Sequence, residues 1–305
     1  MMIANSGGTS ISWFDAGGEF LGNFGSQDPG RLSFPDSLLV ASNGELLISA
    51  GCRTTPGEVC EPKLSAIQRY SPSGAFLGTF TSAAESPLYR PYGMATGPDG
   101  LVYVASLMNN KILRYRQSGG FVDEFASGTG TDPLGLNGPN GLLFDGGSLY
   151  VTTEGSVPVH GEPTFPDGFP SLLIHYDVAT RQSSILAQPS DPDPSNPPSL
   201  DNVRLGPDGN LYVSDFDLNL VRVYSRDTGC ELRRISTALD GLANQYTGGI
   251  VFTPGGDLLA SAGSQNEPIL GAILRFCGTS YEDRDVLVPP TVNLDRPSGI
   301  LLLHS

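Results

Sequence analysis

One pattern of four short strands recurs along this chain and constrains its fold more than any other feature. It is clearest between residues 89 and 126, YRPYGMATGPDGLVYVASLMNNKILRYRQSGGFVDEFA. Turns at Pro98-Asp99-Gly100, Asn109-Asn110 and Ser118-Gly119-Gly120 separate segments rich in β-branched and aromatic residues. A lone four-stranded sheet leaves both faces exposed, so this unit requires neighbours of its own kind.

The same order of segments occurs five times: Pro-x-Gly or Pro-x-Ser with an apolar run, a turn, Leu-Tyr-Val, a loop and Ile-x-x-Tyr. The repeats span residues 34–81, 89–126, 138–187, 199–236 and 246–288. The C-terminal RPSGILLLHS is a first strand without successors, and residues 1–25 supply the missing strands. We therefore predict a single all-β domain over residues 1–305, a six-bladed β-propeller of four-stranded antiparallel blades. Residues 296–305 and 1–25 share one blade and close the ring, which removes exposed strand edges.

Composition agrees with a folded all-β chain and narrows the partners. The 305 residues include 39 Gly and 25 Pro, which suits many tight turns. The formal net charge of −15 argues against nucleic acid or an anionic membrane as partner, because like charges repel. The chain has no apolar run of transmembrane length and no signal peptide at its start, so we expect a soluble protein, either the mature form of an exported one or one that never carried a signal. The excess of negative charge also favours a monomer.

The cysteines bear on the compartment. Cys52 and Cys60 bracket the loop CRTTPGEVC, and their even pairing predicts a local disulfide, with free or metal-bound thiols as the alternative. Cys230 and Cys277 lie at the turns between the third and fourth strands of consecutive repeats, and whether they pair is left open. Either bond favours an oxidising compartment, so we expect an extracellular or periplasmic protein.

The repeats resemble those of the NHL family, whose blades carry the same signature of Pro-x-Gly, Leu-Tyr-Val and Ile-x-x-Tyr. The resemblance covers essentially the whole chain and implies the six-bladed fold. It implies little about function, because propellers carry many unrelated activities.

In such propellers the first strand of each blade lines the central channel, and its start lies on one rim. The residue before the small residue of each first strand is therefore expected in a ring around the channel mouth. These six residues are Asp36, Tyr92, Asn140, Asp201, Gly248 and Ser298. Carboxylate and amide oxygens are ligands of hard cations, so Asp36, Asn140 and Asp201 are candidate ligands of a divalent cation, preferably Ca²⁺. The alternative is a wet polar mouth of the kind that every propeller has.

The longest insertions are expected on the same rim. They are the loop between the first two cysteines, EGSVPVHGEPTFPDGFP in the fourth blade and AGSQNEPILG in the sixth. The second insertion brings Glu154, His160 and Glu162 close in sequence, and imidazole with carboxylate suits acid–base catalysis or metal binding. We therefore add Glu154 and His160 to Asp36, Tyr92, Asn140, Asp201 and Ser298 as candidate ligand-binding residues. A Pro-rich loop also serves as solvated cover alone.

Other polar residues predict structural roles. Asp215 ends a second strand and is expected to bond turn amides. His175 and His304 are expected to be structural or exposed. The chain contains no GxSxG, GxxxxGK[ST] or HExxH motif.

The chain is also distantly similar to the SMP-30/gluconolactonase family, six-bladed propellers that bind a divalent cation at the mouth and hydrolyse lactones. The similarity lies in Gly138-Pro139-Asn140-Gly141 and Leu200-Asp201-Asn202, and it implies Asn140 and Asp201 as metal ligands. The other two ligand positions of that family fall near Ser298 and Tyr92, which do not match, although Asp36 offers a substitute. A bound cation lowers the pKa of its water, and Asp201 or His160 is then the candidate catalytic base. Virginiamycin-lyase-like propellers share the repeat style, and their His and Glu pair would here be His160 with Glu154 or Glu162.

Three functions remain open, and so does the question whether the protein is an enzyme. The first is an exported binding or scaffold module that recognises a small-molecule ligand or a protein partner through the rim. The second is a metal-dependent hydrolase of lactones or esters. The third is a structural component of an extracellular assembly. The lack of a complete catalytic set favours the first.

Overall fold

Tight turns divide the chain into short strands at nearly every point where the sequence predicts them. A computed structural model describes residues 1–25, 31–52, 59–190, 195–242, 244–264, 270–278 and 280–303. Among these, no helix is long and apolar enough to cross a membrane. The helical segments described are 3₁₀ turns at Pro62–Leu64 and Leu107–Asn109.

The strands fall into six four-stranded antiparallel sheets. The first blade contains β1 (Met2–Asn5), β2 (Ile11–Phe14) and β3 (Phe20–Phe24). The second contains β4 (Leu38–Val40), β5 (Leu46–Ala50), β6 (Ala66–Tyr70) and β7 (Phe76–Ser82). The third contains β8 (Pro91–Thr96), β9 (Val102–Ser106), β10 (Lys111–Tyr115) and β11 (Phe121–Ser127).

The remaining blades follow the same order. The fourth contains β12 (Pro139–Asp145) and β13 (Ser148–Thr153), an inserted hairpin of β14 (Val157–Val159) and β15 (Glu162–Thr164), then β16 (Leu172–Asp177) and β17 (Ser183–Ala187). The fifth contains β18 (Leu200–Leu205), β19 (Leu211–Asp215), β20 (Leu220–Tyr224) and β21 (Glu231–Ser236). The sixth contains β22 (Gln245–Phe252), β23 (Leu258–Ser264), β24 (Gly271–Cys277) and β25 (Asp283–Thr291).

The last strand closes the ring. β26 (Pro297–Leu301) pairs antiparallel with β1, with Met2 opposite Leu301 and Ile3 opposite Ile300. Each first strand contacts the first strand of the next blade, from β26 through β4, β8, β12, β18 and β22 back to β26. The predicted all-β class, the six blades and the shared closing blade are confirmed.

The apolar core lies between the blades. Six clusters of buried side chains each join two neighbouring blades, such as Tyr103 of the third with Leu149 of the fourth. A blade has two faces, and each face is covered by the next sheet in the ring. The centre of the ring is therefore left for polar groups.

The glycine that follows the ring residue in four of the first strands is required by the neighbouring backbone. A Cβ on Gly93 would lie 2.3 Å from the carbonyl oxygen of Asn140, and one on Gly299 would lie 2.4 Å from that of Asp36. The carbonyl of a predicted ring residue thus packs against the glycine of the preceding blade. This contact places the ring residues at equivalent positions around the channel.

Candidate functional site

Four of the ring residues lie in β-bulges near the start of the first strands. The register shifts within the pairs β8–β9, β12–β13, β18–β19 and β22–β23, at the positions of Tyr92, Asn140, Asp201 and Gly248. In a β-bulge, two residues of one strand face a single residue of the partner strand, and this changes the direction of a side chain. Bulges are common beside functional sites. The predicted ring positions are therefore distinct in backbone geometry.

Hydroxyl groups of the second strands accept hydrogen bonds from the backbone amides that these bulges leave unpaired. Thr152 Oγ1 accepts the N–H of Gly141 at 2.8 Å, and Ser214 Oγ accepts the N–H of Asn202 at 2.9 Å. An unpaired buried amide is costly, so the hydroxyl replaces the ladder bond that the bulge removes. The Ser or Thr that follows Leu-Tyr-Val in the repeat has this structural role.

The channel below the ring is nearly closed. A cavity of about 20 Å³, lined by Asp36, Asn140, Asn202 and Arg204 among others, has room for about one water molecule. The half-buried Arg204 donates to the carbonyl of Val203 at 2.8 Å. A ligand larger than a water molecule does not fit in this cavity.

Asp36 has a basic neighbour that the sequence analysis missed. Arg90 is 1% exposed, and its Nη2 lies 3.8 Å from Asp36 Oδ2. Its guanidinium also stacks 4.6 Å from the centre of the Tyr92 ring and donates to the carbonyl of Phe34 at 3.1 Å. Burial raises the pKa of Asp36, and the Arg90 charge opposes that rise. Asp36, Tyr92 and Arg90 thus form one connected group.

Three of the predicted site residues share one electrostatic environment. Asp201 is buried, and burial followed by the charges of Asp36 and Glu154 raises its pKa well above the usual range. Glu154 is half-buried, and burial followed by the charges of Asp217 and Asp36 raises its pKa to about 7. Ser156 Oγ donates to Glu154 at 2.9 Å and opposes that rise. The structure therefore brings Glu154 to Asp36 and Asp201.

Asp217 is a fourth carboxyl of the mouth, and the sequence analysis did not select it. It keeps contact with solvent, but protein atoms crowd its other sides. This partial burial, with the charge of Asp215, raises the pKa of Asp217 to about 6, and Arg296 opposes the rise. Asp217 stands two residues after Asp215 in VSDFD, and that short acidic run was the one available signal.

Two arginines at the mouth carry a further signal in the sequence. Arg90 and Arg296 both precede the proline of a first strand, in RPYG and RPSG, and both have positive φ, 55° and 51°. Arg296 stacks 5.7 Å from the centre of the Phe216 ring. Non-glycine residues with positive φ are uncommon and tend to occur at functional sites.

A cleft opens beside the mouth between the fourth and fifth blades, with a volume of about 460 Å³. Its apolar wall contains Phe165, Phe169 and Leu134 together with five prolines. Glu154 and Asp217 also line it. This volume lies within the range of about 300–1,000 Å³ of small-molecule sites.

The inserted hairpin β14–β15 leans away from Glu154 toward the second blade. Cys60 donates its N–H to the carbonyl of Gly161 at 2.7 Å, and the Tyr89 hydroxyl donates to the carbonyl of Cys60 at 2.6 Å. His160 is exposed at the hairpin tip, and Glu162 pairs with Val159. Within the described residues, no hydrogen bond or charge interaction links His160 to the ring. The proposed pairing of His160 with Glu154 thus finds no support in this arrangement.

The disulfide Cys52–Cys60 is present, as predicted. Cys230 and Cys277 are both free. The disulfide ties Cys60, whose amide bonds the hairpin at Gly161, to Cys52 just after the end of β5.

The predicted structural residues behave largely as expected. Asp215 accepts the amides of Ser199, at 3.0 Å, and Leu218, and it also pairs with the fully buried Arg222 at 2.7 Å. His175 is half-buried and lies 2.9 Å from Ser148 Oγ. His304 lies outside the described residues.

The divalent-cation site at Asp36, Asn140 and Asp201 stays a prediction. Across the described ranges, no group of three or more His, Cys, Asp or Glu side chains is arranged to hold a metal ion. Arg90 also occupies the space beside Asp36 that a cation would need. The predicted set offers two carboxyl groups and one amide, with Arg90 as a competing positive charge at Asp36.

Solved structures share the fold at low sequence identity. A structure of a nidogen/laminin complex is 13% identical, with a TM-score of 0.64 and coverage of 98% of this chain and 95% of that chain. A protein described as a gluconolactonase is 17% identical, with a TM-score of 0.58 and coverage of 85% and 80%. A virginiamycin B lyase from Staphylococcus aureus, solved with quinupristin, is 16% identical, with a TM-score of 0.54 and coverage of 89% and 75%.

No protein-family model matches the chain, and no curated protein matches it in sequence. The similarity to NHL-type propellers and, more distantly, to gluconolactonase propellers is confirmed as a likeness of fold. At these identities it shows nothing further.

Proposed function

We propose that this protein is an exported binding module that holds a small organic ligand in the cleft beside the channel mouth. The observation that carries the proposal is the cleft itself, about 460 Å³ in volume and lined by Phe165, Phe169, Glu154 and Asp217. An apolar wall with a few convergent polar groups is the usual form of a small-molecule site.

The setting of the cleft supports a ligand role. The hairpin that begins at Val157 is bonded at Gly161 to Cys60, which the disulfide ties to Cys52, so the insertion is braced at its far end. A braced loop is better organised for binding than a solvated one, because less conformational entropy is lost when a ligand arrives. The disulfide also agrees with an extracellular or periplasmic location, since such bonds persist under oxidising conditions.

Proteins with the same fold show that this architecture accommodates both kinds of partner. One neighbour was solved with quinupristin, and another was solved in a nidogen/laminin complex. For this chain the concave cleft favours a small molecule, because a volume of about 460 Å³ is in the size range of small-molecule sites.

The test is saturation-transfer NMR with a set of neutral, cationic and anionic aromatic fragments. We expect several fragments to bind and to lose at least tenfold in affinity with the double variant Phe165→Ala and Phe169→Ala. The matched control is Val292→Ala, an apolar side chain that is 74% exposed and does not line the cleft. Absence of any binding, or equal binding to the double variant, would remove the cleft as the site.

A metal-dependent hydrolase is the second candidate, and one observation favours it. Asp36 and Asp201 are both buried and repel each other, and a divalent cation would relieve that repulsion. Calorimetric titration of EDTA-stripped protein with Ca²⁺, Mg²⁺, Mn²⁺ and Zn²⁺ tests it, with Asp201→Ala as the variant. Micromolar binding that the variant abolishes would support the hydrolase, whereas no binding would end this candidate.

A further inference from the structure

We propose that the cleft selects organic cations, namely molecules with an apolar body and an ammonium or guanidinium group placed between Glu154 and Asp217. The inference rests on the proposed function and adds the chemical class of the ligand. It follows from two interacting carboxyl groups that line a cleft with a large apolar wall of phenylalanine and proline.

The apolar part of the cleft defines the body of the ligand. Phe165 is 52% exposed, although a large aromatic side chain gains free energy on burial. Phe169 and the prolines 166, 170, 189, 197 and 198 complete this wall. Proline and phenylalanine offer flat surfaces without side-chain hydrogen-bond donors, which suits an aromatic or alicyclic body.

The charged part of the cleft defines the head group. Glu154 and Asp217 lie close enough for their charges to interact, and the exposed Asp167 adds a third carboxylate at the edge. Among the lining residues that the structure describes, none is Lys or Arg. An anionic head group would meet uncompensated repulsion here, and a neutral one would gain no charge interaction.

The nearby arginines do not cancel the negative charge of Glu154 and Asp217. Arg90 faces Glu154 but is held by Asp36 and the Tyr92 ring, and Arg296 faces Asp217 from over the Phe216 ring. Other groups near the two carboxyls include Asp36, Asp201 and Ser156 at Glu154 and Asp215 at Asp217. The acidic side of the mouth therefore outweighs its basic side.

The protonation of Glu154 provides a second measurable quantity, the release of a proton when a ligand binds. Its pKa of about 7 means that about half of the molecules carry the proton at pH 7. A cation beside the carboxyl stabilises its charged form and lowers its pKa. Binding of an organic cation is thus expected to release a fraction of a proton, and binding of a neutral molecule is not.

The experiment compares three probes that carry the same phenylbutyl body and differ in the head group: 4-phenylbutylamine, 4-phenylbutanol and 5-phenylpentanoate. Calorimetric titration at pH 7 in two buffers of different ionisation enthalpy measures affinity and proton release together. We expect the amine to bind at least tenfold more tightly than the alcohol, with proton release, and the carboxylate to bind most weakly.

Variants assign the effect to the two carboxyls. Glu154→Gln and Asp217→Asn are each expected to reduce the preference for the amine at least threefold, and Glu154→Gln is expected to remove most of the proton release, leaving the small share of Asp217. Asp283→Asn makes the same change of net charge on the outer strand of the sixth blade and should leave all three affinities unchanged.

The outcomes separate this inference from the proposed function. Equal affinity for amine and alcohol, unaltered by Glu154→Gln, would overturn the cation preference and leave the cleft as a ligand site. Failure of all three probes while other fragments bind in a Phe169-dependent way would also overturn only the inference. Failure of every fragment would overturn both.

Discussion

Glu154 shows how the propeller mouth changes an ordinary carboxyl group. Its side chain follows β13 directly and is crowded by the insertion that it begins, so burial dominates its pKa. Asp217 and Asp36 add repulsion from two other blades. The folded state therefore binds this proton more tightly than the unfolded chain does.

The first prediction concerns stability and pH at this residue. A raised carboxyl pKa contributes stability that is fully present below the ordinary value of 4.5 and is lost as the pH rises through about 7. Glu154→Gln should remove this loss and raise the free energy of unfolding at pH 8 relative to wild type by about 1 kcal/mol, a value reduced for solvent screening. Urea unfolding at pH 4 and pH 8 measures the difference, and an unchanged pH profile would contradict it.

The second prediction concerns the glycine of a first strand. Gly93→Ala would push a methyl group to 2.3 Å from the carbonyl oxygen of Asn140, so we expect a loss of about 3 kcal/mol in the free energy of unfolding. Gly147→Ala is the matched control, because a Cβ there meets no atom within 4 Å and the backbone φ is not in the left-handed region. Urea denaturation of both variants provides the comparison, and equal stability would show that the first strands are free to separate.

At the scale of elements, the first strand and the second strand of a blade act as one unit. The bulge exposes a ring residue to the channel, and the hydroxyl of Thr152 or Ser214 compensates the amide that the bulge leaves unpaired. The hairpin β14–β15 adds a second kind of unit, because it joins the fourth blade to the disulfide loop of the second. The cleft wall begins where that hairpin ends.

The third prediction tests this brace. Replacing Cys52 and Cys60 with Ser opens a loop with a sequence separation of 8 and should cost about 2.5 kcal/mol of stability through unfolded-state entropy. Amide exchange should also become faster in Val157–Val159 and Glu162–Thr164, because the Cys60 amide no longer holds Gly161 in place. Cys230→Ser, at a free and exposed cysteine, is the control and should change neither quantity. Unchanged exchange in the hairpin would show that the disulfide does not brace it.

At the scale of the whole molecule, one blade differs from the other five. The first blade is held together by noncovalent pairing of β1 with β26, whereas every other blade is a continuous segment. Opening of this pair frees both neighbours, since each first strand contacts the next around the ring. We infer that global unfolding begins there.

The fourth prediction follows from that weak point. Met2 and Leu301 lie opposite each other, so a disulfide between Met2→Cys and Leu301→Cys would lock the ring. Compared with its reduced form, the locked protein should gain about 3 kcal/mol in stability and unfold more slowly. The parent protein, measured with and without dithiothreitol, is the control for reduction of the native disulfide Cys52–Cys60. No slowing of unfolding would mean that the ring opens at another blade.

The sequence by itself determined the repeat, the number of blades, the closing of the ring and the local disulfide. These features depend on short-range patterns: turn residues, alternating apolar positions, and a glycine such as Gly93 wherever two strands approach closely. It also located Asp36, Asn140 and Asp201 at equivalent positions, because each precedes the small residue of its blade.

Only the tertiary structure decided what surrounds those positions. Arg90 pairs with Asp36 across two blades, and Glu154 and Asp217 meet on one cleft wall although 63 residues separate them in the sequence. His160 stood near Glu154 in the sequence, yet the hairpin carries it to the disulfide loop. Burial and charge repulsion act through space between blades, so the pKa values and the shape of the mouth depend on distances that the order of residues does not specify.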